Sequence, residues 1–187
     1  MDGISREKAV ELVRRHIHND NLFKHCLASE AVLRAMAEHM GEDEDKWGLA
    51  GLLHDLDSET HPDLAVHTRE TVRILTEKGV DPEIIEAIRL HNPEAYPGDT
   101  RTTVFQHALA AGETITGLVI ATALVQPDKK LASVKPKSVR KRMKEKAFAR
   151  GANRETIMEC EIIGIPIADF CTLSVTAMQK IADSLGM

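Results

Sequence analysis

The segment GLLHDLD, residues 51–57, sets His54 and Asp55 behind Leu49, Leu52 and Leu53. Neighbouring side chains on a helix diverge by about 100°, so this pair cannot share one flat core surface. Both can, however, reach one small object beside a helix end. A divalent cation suits that arrangement, because a neutral imidazole nitrogen and a carboxylate oxygen each bind such an ion at about 2.0–2.2 Å. An ion there needs further ligands from other helices. His25 shares a helical stripe with Leu22, Ala28, Ser29, Val32 and Met36, which places it on an inward face. Glu113 interrupts the small, apolar stretch 108–118, where an unpaired carboxylate is costly to bury. Taken singly, His25 also fits a hydrogen-bonded core histidine and Glu113 a solvated face residue. With His54 and Asp55 they form a four-ligand set drawn from three segments.

The elements that must position these groups are helical. Apolar spacing follows the helix period almost throughout, with no sustained strand alternation, and predicts an all-α helical bundle. Helices are expected over 5–18, over 21–40 with Asp20 as N-cap and Gly41 as stop, from 45 to His54, and over 63–78. Asp81-Pro82-Glu83 supplies a cap, a first-turn proline and a first-turn carboxylate for a helix ending at His91. Residues 92–101 form a loop, and Thr102 or Thr103 opens a long helix ended by Pro127. A basic helix over 138–150 and two more over 153–163 and 167–185 complete the chain. Gly112 and Gly117 each weaken the long helix by about 1 kcal/mol relative to alanine, so close packing or a slight bend is expected there.

At 187 residues and 20.7 kDa the chain fits one domain, 1–187, with a core over about 21–125 and the helices of 129–187 packed on it. Cys26, Cys160 and Cys171 lie in apolar or helical contexts behind a charged start with no secretory leader, which reads as reduced thiols in a cytoplasmic protein. The longest apolar run, near 115–125, is too short and threonine-rich to span a bilayer. One Trp, one Tyr and four Phe leave no stacking platform for single-stranded nucleic acid.

The order His25, then His54-Asp55 in GLLHDLD, then a carboxylate in ALAAGETITGL resembles the metal-dependent HD-domain phosphohydrolase superfamily, in its small HDIG-type branch. The resemblance covers about 21–125. It implies a helical fold around a divalent ion, a hydrolytic reaction on nucleotides or nucleotide-like phosphoesters, and His25, His54, Asp55 and an acid at 113 as ligands. The superfamily usually has Asp where this chain has Glu113; glutamate keeps the oxygen ligand but adds a methylene, for which the neighbouring Gly112 would leave room. His67 and His91 fall where binuclear members, among them a branch that hydrolyses diadenosine polyphosphates with two irons, carry additional histidines. They would hold a second ion or touch phosphate; alternatively His67 is a half-exposed helix residue and His91 a helix cap. Asp57 and Glu59, just past the doublet, are placed to accept a proton or to hydrogen-bond a ligand histidine. His16, His18, His39, His61 and His107 fall outside the expected ligand set.

Ten basic residues against the single acid Glu145 over 129–150 stand out in a chain of net charge −5. The reading is an amphipathic helix docked by Val139, Met143, Ala147 and Phe148, attracting phosphate rather than nucleic acid. If it packs beside the metal site, Lys129, Lys130 or Arg140 would neutralise a phosphate group. The expected activity is therefore hydrolysis of a small phosphorylated substrate by water activated on Fe, Mn, Co, Ni or Zn, with Asp55, Asp57 and His91 nearest the chemistry. The alternative is a regulatory module with a structural metal in a closed shell that binds a nucleotide or protein partner. No membrane partner is expected, and oligomerisation is left open.

Overall fold

The computed structural model describes residues 4–187, leaving Met1–Gly3 of the charged start outside the described residues. Every regular element among the described residues is helical: α1 (Arg6–His16), α2 (Asp20–Met40), α3 (Glu44–Leu53), α4 (Arg69–Glu77), α5 (Pro82–His91), α6 (Val104–Leu124), α7 (Pro136–Arg142), α8 (Arg154–Ile162), α9 (Ile167–Lys180) and α10 (Ala182–Leu185). Short 3-10 turns occur at Pro93–Ala95 and Leu131–Ser133. The all-α expectation holds.

α6 is the hub. It packs against α2, α3, α5, α7, α8 and α9, and its residues Leu109, Ile115, Leu118 and Val119 are fully buried. The helix is launched by a capping box, in which Thr103 accepts from the Gln106 backbone while the Gln106 side chain accepts from the Thr103 backbone. Alone it is long and apolar enough to cross a membrane, but most of it is enclosed by the other helices. α2 packs against α3, α6 and α9, and Trp47 of α3 stacks on Phe105 of α6 with ring centroids 5.4 Å apart. The three cysteines are free and buried, and burial pushes the Cys160 thiol up to about 12.

Several element boundaries differ from the sequence expectation, among them α1, which spans Arg6–His16 rather than 5–18, and the basic helix, which begins at Pro136 rather than 138. The N-cap of α2 is Asn19, whose side chain accepts from the Asn21 and Leu22 backbones, and Asp20 becomes the first helical residue. The helix expected over 63–78 begins only at Arg69, where the Asp57 carboxylate accepts from its first backbone N–H groups. The basic helix stops at Arg142 instead of Arg150, because Arg154 at the start of α8 gathers the carbonyls of Arg142, Glu145, Phe148, Ala149 and Ala152 and winds that stretch into turns. The last helix is broken at Ile181.

Candidate metal centre

Two close helix contacts bring the first histidines together. At Gly51 α3 meets the backbone of α2, and a Cβ added there would lie 2.7 Å from the Ser29 carbonyl oxygen. About one turn beyond Gly51 on α3, and one turn before Ser29 on α2, His54 and His25 meet with their Nε2 atoms 3.1 Å apart. Gly112 does the same for α6, since a Cβ there would lie 2.5 Å from Leu33 Cδ2. That contact sets Glu113 and Thr116 against His25. Gly112 thus permits the close approach of α6 to α2.

A second pair forms from shorter elements. His91 is the last residue of α5, and His67 lies in the turns before α4; their Nε2 atoms are 3.3 Å apart. Asp57 organises this half. Its Oδ1 accepts from His67 Nδ1 at 2.8 Å and the Thr68 backbone at 3.1 Å, and its Oδ2 accepts from the Glu70 and Thr71 backbones. A carboxylate from a distant turn therefore caps α4, which lacks a cap of its own behind Thr68 at φ 82°. This is why the helix starts at Arg69. Asn92 completes the frame by donating to the Leu64 and His67 carbonyls.

Asp55 stands between the pairs. Its Oδ1 lies 3.1 Å from His67 Nε2, 3.5 Å from His54 Nε2 and 3.7 Å from His91 Nε2, while Oδ2 lies 3.7 Å from His25 Nε2. Two groups of side chains could each hold a metal ion, His25-His54-Asp55 and Asp55-His67-His91, with Asp55 common to both. Glu113 Oε2 sits at the edge of the first, 3.8 Å from His25 Nε2, and belongs to neither tight set.

The donor chemistry fits a cation. All four imidazoles have Nδ1 committed to an acceptor: His54 to the Gly51 carbonyl at 2.8 Å, His91 to the Ile88 carbonyl at 2.7 Å, His67 to Asp57, and His25 to Thr116 Oγ1 at 3.0 Å. The Thr116 hydroxyl proton is itself spent on the Glu113 carbonyl at 2.7 Å, so its oxygen accepts. With the proton on Nδ1, a neutral imidazole turns a bare lone pair inward at Nε2. Burial pushes the His54 pKa down to about 3, which keeps that ring neutral. Two lone pairs facing each other at 3.1 Å repel unless an electrophile lies between them. Two nitrogens at about 2.0–2.1 Å from one ion stand about 3.0–3.4 Å apart, the separation of both histidine pairs.

The charges agree. Burial alone would raise the Asp55 carboxyl, but the surrounding imidazoles, with His67 donating to it, hold it well below the usual carboxylate range. Burial would lower His67, yet its hydrogen bonds to Asp55 and Asp57 carry it up to about 9. In the metal-free protein His67 thus keeps a second proton where positive charge is wanted. Glu113 is raised by burial.

A cavity of about 480 Å³ opens beside the cluster, lined by His25, Asp55, His67, His91 and Glu113 and by Arg101, Asn153 and Thr156. Several expectations are corrected here. Both Asp57 oxygens are occupied and the residue does not line the cavity, so Asp57 orients His67 and does not relay a proton to a substrate. Glu59 accepts from the His18 and Asn19 backbones, away from the site. His67 is buried rather than half-exposed. Lys130 and Arg140 are exposed and line no part of this cavity, and Lys129 lines a neighbouring one. His107 pairs with Glu159, which also holds Arg101. The sequence reading missed Thr116, Asn92 and Arg101; only the adjacency of Asn92 to His91 was a signal, since the partners of the other two are remote in the chain.

Residues 22–124, more than half of the chain, match the family model described as HD domain. No curated protein and no solved structure matches the chain.

Proposed function

The chain belongs to the HD-domain family, and from that premise we propose that it is a metal-dependent phosphohydrolase acting on a nucleotide or a related small phosphoester. The observation that carries this reading is the acceptor-to-acceptor contact of the His25 and His54 imidazoles on one side of Asp55, with the His67-His91 pair at a similar spacing on the other, next to an open cavity. His25, His54 and Asp55, with Glu113 at their edge, would hold one divalent ion; Asp55, His67 and His91 would hold a second. Such ions, of Fe, Mn, Co, Ni or Zn, would supply Lewis acidity toward the phosphoryl oxygens and an acidified water as nucleophile.

The remaining steps belong to the protein. Asp55 ties the two halves together and, held ionised, supplies a negative charge shared by both sets, which favours bound cations. Asp57, Thr116 and the Gly51 and Ile88 carbonyls hold the four rings in one tautomer. Arg101, fixed by Glu159 and the Leu90 carbonyl, offers its remaining N–H groups to an anionic substrate in the cavity. The open cavity beside the ligands favours hydrolysis over a closed structural metal shell.

Elemental analysis of gently purified protein, followed by a screen of phosphoesters and nucleotides with and without added Mn or Fe, tests the proposal. We expect bound transition metal and turnover that His54→Ala abolishes. Equal, negligible turnover in metal-loaded wild type and His54→Ala across the screen would overturn it.

A further inference from the structure

Gly117 lies within α6 and is exposed, a position where glycine costs a helix about 1 kcal/mol relative to alanine. Gly112 on the same helix has a steric reason. Gly117 has none: among the described residues beyond its own stretch of helix, an added Cβ would meet only Ala152 Cβ, at an ordinary contact distance of 3.9 Å. A side chain at Gly117 would therefore meet no clash, and its absence leaves the helix backbone bare there. Gly117 lines the cavity beside the histidines and also a second cavity of about 600 Å³, and His25 is the other residue common to both.

The second cavity differs in character from the first. Its walls include Ala28, Ile120, Leu124, Leu185 and Met187, with Lys24 and Lys129 among its polar members; among the described residues that line it, the shared His25 is the one aromatic ring and there is no carboxylate side chain. Leu124 stays 52% exposed, an apolar side chain left uncovered at this groove. A nucleobase would find no stacking partner here, whereas a flexible apolar chain would find several apolar side chains to cover.

Resting on the phosphohydrolase reading, we propose that the substrate is an alkyl-type phosphoester. Its phosphoryl end meets the histidine cluster, and its apolar leaving group crosses the bare backbone at Gly117 into the second cavity. In the reaction the oxygen of water bonds to phosphorus, the bond from phosphorus to the alcohol oxygen breaks, and a proton from the water ends on that oxygen, giving phosphate and the free alcohol.

Calorimetric titration of the metal-loaded protein with octylphosphonate, ethylphosphonate and adenosine monophosphate tests this without relying on turnover. Wild type should bind octylphosphonate at least about tenfold tighter than ethylphosphonate, because each buried methylene adds to affinity. Gly117→Leu, which fills the passage, and Leu124→Asp, which makes an already exposed wall polar, should each bring that ratio toward one, with circular dichroism confirming the fold. Equal binding of the two phosphonates by wild type, or a ratio that survives both variants, overturns the proposal. Gly117-dependent binding of adenosine monophosphate tighter than that of octylphosphonate also overturns it and assigns the groove to a nucleoside. A chain-length preference without hydrolysis of octyl phosphate or of any other ester in the phosphoester screen supports the groove and overturns the phosphohydrolase reading instead.

Discussion

The two histidine pairs present the same chemistry and are built in opposite ways. His25 and His54 sit on or at the end of packed helices, and their separation is set by backbone contact at Gly51, where α3 touches α2 with no room for a methyl group. His67 and His91 sit on a turn and a helix terminus, and their separation is set by side-chain hydrogen bonds, chiefly those of Asp57. The first half is therefore fixed by packing, which is insensitive to pH, and the second by charge, which is not. Asp55 alone belongs to both. Substitutions that separate packing from charge should separate the halves.

The largest effect is expected from the shared group. Asp55→Ala removes the one carboxylate common to both metal sets and should lower metal affinity by more than about 100-fold, above the loss typical for an outer partner. Elemental analysis and phosphoester turnover should fall together. Retention of two ions per chain would contradict the shared role.

The next contrast sets Asp57→Asn against Gly51→Ala. The amide nitrogen introduced by Asp57→Asn would face a donor that the carboxylate now satisfies, so His67 loses its orientation and α4 part of its cap. Affinity at the His67-His91 set should drop by about 10–100-fold, while the His25-His54 set is unaffected. Gly51→Ala should do the reverse. It forces α3 away from Ser29 at a cost of about 1–3 kcal/mol, read as a lower Tm, and weakens only the first set. Competition titrations with a chromophoric chelator distinguish the two. Equal losses at both sets in either variant would dissolve the distinction.

These dependences explain what the sequence could and could not convey. His25, His54, Asp55 and Glu113 were legible because each breaks an apolar helical pattern, and buried polar groups need a reason. The long helices were legible for the same periodic cause, and the Asp81 cap and the start of α6 at Thr102 or Thr103 from their capping side chains, with Thr103 the cap in the structure. The start of α4 was not, because its cap comes from Asp57, more than ten positions upstream and with no local signature. The true end of the basic helix was hidden for a like reason, since the carbonyls that stop it are gathered by Arg154 from α8. Local patterns cannot register a hydrogen bond to a remote side chain.

A smaller effect follows from the charge-held half. In the metal-free protein His67 has a pKa of about 9, above the 6.5 of a free imidazole. A raised pKa stabilises the fold fully below about pH 6.5, and that contribution disappears as pH rises through about 9. It amounts to at most about 3 kcal/mol. Chelator-treated wild type should therefore lose urea resistance between these limits, and His67→Gln should lose far less. Identical pH profiles for the two proteins would show that the site does not recruit the proton.

The smallest effect is expected from the most conspicuous feature of the sequence. Arg140 and Lys144 are exposed, Arg140 on α7, which packs on α9, and neither lines the cavity beside the histidines. Charges outside the site act on a substrate only through solvent, where about 0.1 M salt screens them beyond about 10 Å. Arg140→Glu combined with Lys144→Glu should change kcat/KM by less than about twofold at that ionic strength. The same double reversal in low salt should slow capture of an anionic substrate modestly, because steering by a distant field is felt when screening is removed. A tenfold loss that persists in high salt would mean that a basic side chain touches the phosphate directly, and the cavity would have to extend to α7. A strong local charge is therefore a poor guide to the site here, and the neutral contacts at Gly51 and Thr116 are better ones, because they decide where the lone pairs point.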